Sequence, residues 1–172
     1  SEVPYFGTLA FKEGKDGLWL WDDPDHPASW LASLWSQTPP CQSSGPLWTK
    51  TALERVGGWS EDIHVWQDID IHQRAHFHGI RFIPSETKEP DVLYRIHDNS
   101  LSHAGFHGAA KLQSRAVILQ DAHHYARSQA LDTAETLALS SMTWRVFRNA
   151  CLLRNWSLAD DVIEAASHLP GF

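Results

Sequence analysis

Cysteine is scarce in this sequence. Only Cys41 and Cys151 are present, far apart and in no C-x-x-C spacing. A disulfide scaffold is therefore disfavoured, and the plain reading is two free thiols in a reducing compartment. Positive charge is also in deficit, with 14 Lys and Arg against 21 Asp and Glu and a formal net charge of −7. Binding along a phosphate backbone needs clustered cations, so no nucleic-acid partner is expected. No run approaches the roughly 18 apolar residues of a membrane span, and no leader pattern opens the chain. The expectation is a cytoplasmic protein. Internal repeats and low-complexity segments are lacking too.

The 172 residues are enough for one domain with a proper core, or for a large piece of a bigger protein. Apolar content is 42% and there are nine tryptophans, which argues for a globular chain. At that density some tryptophans should face ligands or other protein. SEVPYFGTLAFKEG enters at once into strand-like sequence, and the expectation drawn from it is a chain cut from something longer.

Residues 3–12 and 17–21 are rich in aromatic and branched side chains around EGKDG, which predicts a β-hairpin. HPASWLASLWSQ carries apolar residues at 30, 31, 34 and 35, a short helix. TPPCQSSGP reads as a loop. In KTALERVGG, which follows Thr49, Ala52, Leu53 and Val56 make one apolar face, and Gly57 is a C-terminal stop. A helix over about 66–78 ends at Gly79, and IRFIP and DVLYRIH follow as strands. From about residue 106 the character changes. Ala109, Leu112, Ala116, Leu119 and Ala126 recur near helical period, a second helix covers roughly 133–152, and SLAD (Ser157, Asp160) has a capping-box pattern opening a third. The expected organisation is an α/β unit over 1–105 and a helical extension over 106–172.

The stretch GGWSEDIHVWQDIDIHQRAHFHG, residues 57–79, concentrates chemistry-bearing residues. At 100° per residue Asp68 and His72 share one stripe of a helix, as do Asp70 and Arg74. Two accounts stand open. Asp70 and Arg74 at i, i+4 can be a surface ion pair worth a few tenths of a kcal/mol. Alternatively the helix start, flanked by Trp59 and Trp66, surrounds a substrate. Near a helix N-terminus free N–H groups favour the charged carboxylate, so Asp68 becomes a useful base only if substrate and burial together raise its basicity at the moment of reaction.

TKTALERVGGWSEDIHVWQDIDIHQRAHFHGIRF followed by YRIHDNSLS resembles the C-terminal half of the family 2 glycosyltransferases. The segment Ala52–Gly58 with Trp59 matches their "ALerVGGF" element. Asp68, Ile69, Asp70, Ile71 and Arg74, with Gly79, Arg81 and Phe82, match "EDxDLxxR…Gyrf". His97, Ser100, Leu101 and Ser102 match "H…SlS". The three elements occur in order over roughly residues 40–103, so the joint signal is more specific than any one of them. The resemblance implies the C-terminal, acceptor-side half of an A-type glycosyltransferase fold, a mixed sheet with flanking helices. It implies inverting transfer of a sugar from a nucleotide-sugar donor to the hydroxyl of a glycan or other acceptor. Asp68 would be the catalytic base. Trp59, Gly58, Asp70 and Arg74 would contact substrate, with Asp70 and Arg74 also orienting the helix and its loop. His97 would complete a site for a divalent metal, Mg²⁺ or Mn²⁺, that neutralises the departing diphosphate. For Trp59, core packing is as good a reading as stacking on a sugar.

The sequence departs from the family pattern twice. Gln67 stands where the family has Glu, which reads as a change of acceptor contacts. The nucleotide-binding half with its D-x-D motif is not recognisable here; Asp22, Asp23 and Asp25 in DDPDHP read as a turn. The chain alone is thus expected to hold neither the metal nor the donor and to be inactive by itself. Eleven histidines raise a zinc alternative, with His72 and His76 at i, i+4, but H-Q-R-A-H lacks the glutamate of H-E-x-x-H. The other alternative is a non-catalytic carbohydrate-binding or assembly module. The helical extension lies outside the resemblance. It reads as packing on the α/β unit or as a partner surface, such as one for homo-oligomerisation.

Overall fold

The computed structural model describes residues 1–12, 19–20, 29–87, 90–97 and 108–169. The predicted hairpin is built differently from its reading as two strands. Residues 3–12 divide into β1 (Glu2–Tyr5) and β2 (Thr8–Lys12), and β3 (Trp19–Leu20) pairs antiparallel with β2 alone. The break falls at Phe6–Gly7, where the Phe6 N–H donates to the Gly45 carbonyl instead of to a strand.

β4 (Arg81–Pro84) pairs parallel with β1, and β5 (Val92–Ile96) pairs parallel with β2. Val3 lies opposite Phe82, and Ala10 opposite Tyr94. The expected mixed sheet is therefore two small sheets, β1–β4 and β3–β2–β5, which follow one another along the same pair of chain segments. Pro84 and Pro90 flank the interruption, and proline has no amide to donate to a ladder. Parallel pairing of β1 with β4 demands a long crossover, supplied here by three helices: α1 (Trp30–Trp35), α2 (Lys50–Val56) and α3 (Gln67–Phe77).

The helix limits follow local chemistry. The hydroxyl of Thr49 accepts the Ala52 N–H, and Ser29 does the same for Ala32, so α1 and α2 both begin at hydroxyl caps. Gly57 ends α2 in the left-handed region, φ 79°, and Gly58 follows at φ 71°. The mixed α/β character is completed by α4 (Ala109–Ser128), α5 (Thr133–Leu152) and α6 (Trp156–Ala166). The capping box is not at Ser157–Asp160. It sits at the head of α5, where Asp132 and Glu135 bond each other's backbone N–H, while Asn155 caps α6 and Ser157 falls inside the helix.

Two cores result. The smaller joins Val3, Ala52, Val56, Ile71, Ala75 and Ile80, clamping α2 and α3 onto β1. The larger joins Leu31, Leu34 and Trp35 of α1 with Ile63, Ile69 and the buried faces of α4, α5 and α6. The change of character near residue 105 lies outside the described residues. The three helices beyond it share a core with α1 and α3. Gln73 ties the layers internally: its amide accepts from the Trp35 indole at 3.2 Å and donates to the Ile118 carbonyl at 3.0 Å. Trp30 stacks on Phe82 with centroids 4.1 Å apart and planes 3° from parallel, and Trp48 and His72 pack around the same ring. No described helix is long and apolar enough to cross a membrane.

Candidate functional site

The site is built where α3 begins. Trp66, the residue before the helix, has φ 64° and ψ 29°, a left-handed conformation that costs a non-glycine residue on the order of 1–3 kcal/mol. The surroundings hold it there. The Trp66 ring is packed against the larger core, and the Arg115 guanidinium of α4 sits 4.7 Å above its centre. The Ser114 hydroxyl accepts the His64 N–H at 3.0 Å, so α4 fixes the preceding loop at a second point. The chain thus turns abruptly into α3 and places Gln67 and Asp68 on the wall of a cleft of about 760 Å³.

Asp68 bonds the N–H of the next residue, Ile69, at 2.9 Å through Oδ1. Burial raises its pKa above the ordinary aspartate value and outweighs that backbone bond, which acts the other way. Desolvation thus opposes the pull of the helix N-terminus toward the charged form. Trp59, 47% exposed, lines the same cleft. Gln37, Gln42, His64, Lys111 and Arg115 contribute polar and cationic edges.

Asp70 and Arg74 occupy a different place. Asp70 is 3% exposed, and Arg74 binds both its carboxylate oxygens, at 3.1 Å through Nε and 2.6 Å through Nη2. The guanidinium also donates to the carbonyls of Gly58, at 2.9 Å, and Val56. The pair is therefore buried rather than a solvated surface pair, and it holds the left-handed Gly57–Gly58 turn against α3. The backbone of Gly58 is engaged in that clamp. Neither Asp70, Arg74 nor Gly58 is among the residues lining the cleft.

His97 is exposed, just past the end of β5, and does not line the cleft. Ser100, Leu101 and Ser102 lie outside the described residues, as do Asp22, Asp23 and Asp25. Among the described residues no group of three or more His, Cys, Asp or Glu side chains could hold a metal ion. The residues described thus do not fit a complete divalent-metal site. His72 is not poised to ligate with His76. It is buried beside Trp30, Trp48 and Phe82, and its two ring nitrogens find no hydrogen-bond partner among the described residues.

The structure thus brings Asp68 and Trp59 together and sets Asp70, Arg74 and Gly58 behind them. Sequence reasoning weighed Lys111 and Arg115 of α4 only as charge too modest to attract a membrane, and did not place them in the cleft that they line. A signal for Arg115 existed: it falls on the Leu112–Leu119 stripe, where a cation interrupts an otherwise apolar face. No protein-family model, curated protein or solved structure matches the chain.

Proposed function

We propose that this chain forms the acceptor-side part of an inverting glycosyltransferase, with Asp68 as the base. The observation that carries the reading is a carboxylate of raised pKa on the wall of a cleft that also presents an exposed indole. Such a carboxylate can take the proton of an acceptor hydroxyl as its oxygen attacks the anomeric carbon of the donor. The apolar face of a sugar ring suits the Trp59 indole, and the Gln67 amide can bond ring hydroxyls where a carboxylate would stand in the resembling family. The A-type fold and a cytoplasmic location belong to the same proposal. The described residues hold no group of three or more metal-ligating side chains, so the divalent ion would have to be held elsewhere.

The deciding assay measures transfer of labelled sugar from nucleotide-sugar donors by the protein expressed from its complete reading frame. Asp68→Asn should abolish transfer, by about 10²-fold or more, while donor binding stays nearly intact. Undiminished transfer by the variant removes Asp68 from the chemistry. Saturable glycan binding without any transfer would make the chain a carbohydrate-binding module instead.

A further inference from the structure

The cleft does not end at Trp66. Beyond it lies a second hollow of about 300 Å³, and Gln37, Trp66 and Arg115 line both. The second hollow adds Arg145 and Arg148 from α5. Together the two hollows present Lys111, Arg115, Arg145 and Arg148, four of the 14 Lys and Arg residues of a chain with net charge −7. Among the described residues Asp68 is the one carboxylate lining either of them, and none lines the second.

This grouping runs against the charge of the whole molecule. Arg115 is 3% exposed, and burial lowers its pKa from the ordinary arginine value, so its charge is poorly hydrated where it sits. Arg145 donates to the Ser36 carbonyl at 3.4 Å, and Arg148 is exposed. Three arginines line this one small hollow, and a guanidinium is a forked donor that suits phosphate oxygens. A neutral sugar needs no such concentration of positive charge.

We propose that the hollow framed by Arg115, Arg145 and Arg148 is a phosphate-binding subsite, which takes the phosphate or diphosphate of a ligand whose uncharged part lies along Trp66 in the Asp68 cleft. The identity of that ligand rests on the transferase reading; the phosphate site itself does not. Two sources share the chemistry, a phosphorylated acceptor and the diphosphate of a nucleotide.

Calorimetric titration of this chain with sodium pyrophosphate at low ionic strength tests the site. Saturable binding that weakens as salt is added is expected. Arg145→Glu and Arg148→Glu should each weaken it by about tenfold or more. Both positions are exposed, so thermal melts of the variants should match the parent. Arg55→Glu, an equal change of net charge on α2, should alter affinity by no more than about twofold. No saturable binding, or equal losses in all three variants, overturns the subsite. Competition then separates the sources. Displacement of pyrophosphate by glucose 1-phosphate in preference to UDP supports the subsite as the acceptor's, and the reverse preference supports it as the donor's. Arginine-dependent pyrophosphate binding without Asp68-dependent transfer sinks the transferase reading alone. Asp68-dependent transfer without arginine-dependent binding sinks the subsite alone.

Discussion

His72 shows how a single buried residue contributes to the acid sensitivity of the fold. Burial among aromatic rings lowers its pKa from 6.5 to about 3. The unfolded chain takes up this proton as pH falls below 6.5, whereas the folded chain refuses it until about pH 3. Stability is therefore complete above pH 6.5 and declines through that window, by up to about 1.4 kcal/mol per pH unit. His123, buried against Thr143, behaves similarly with a pKa lowered to about 4, through burial first and then His168 and Arg127. His72→Phe should flatten the acid slope between pH 6 and 4 in urea-denaturation midpoints, leaving the shares of His123 and of His76, whose pKa burial also lowers. An unchanged slope would exonerate His72. Nothing in H-Q-R-A-H announces this: the i, i+4 spacing of His72 and His76 is legible, but the three rings around His72 come from distant segments. The place of Asp68 at the start of a helix was legible. The direction of its pKa shift was not, because burial decides it and burial depends on the tertiary fold.

Elements were legible in proportion to how local their causes are. Thr49, Gly57 and Gly79 mark helix limits through bonds and dihedrals within a few residues, and the structure uses them so. Strand partners depend on segments some 80 residues apart, and there the reading failed: β1 was assigned to a hairpin but pairs with β4. The Asp70–Arg74 spacing gave the pair and missed its burial, which turns a contact worth tenths of a kcal/mol into a clamp between α2 and α3. Asp70→Asn leaves the guanidinium without its counter-charge in a half-buried position, and a loss of about 3–5 kcal/mol in unfolding free energy is expected. A loss below about 1 kcal/mol would return the pair to the status of a surface contact.

At the scale of the whole molecule, the helices beyond residue 108 cover α1 and α3. Leu31, Leu34, Trp35, Ile63 and Ile69 are all buried against or within the core that α4, α5 and α6 complete. Residues 1–105 expressed alone should therefore lack a cooperative thermal transition and expose apolar surface to a hydrophobic dye. A sharp, reversible melt of that fragment would show that it folds by itself. Amphipathic period revealed α4 in the sequence, whereas the cap read for the last helix was misplaced. Which face covers which neighbour is set by shape, and no periodicity encodes it.

The loop carrying Trp59 is pinned at two ends. Arg74 grips the carbonyls of Val56 and Gly58 at one, and the Ser114 hydroxyl takes the His64 N–H at the other. The pins belong to different helices, α3 and α4, and neither uses a side chain from the loop between them. Residues 59–62, ahead of the buried Ile63, are thus a replaceable cassette. Their length and composition can change without disturbing either anchor or the setting of Asp68, which makes this loop the natural place to graft a different preference for what enters the cleft.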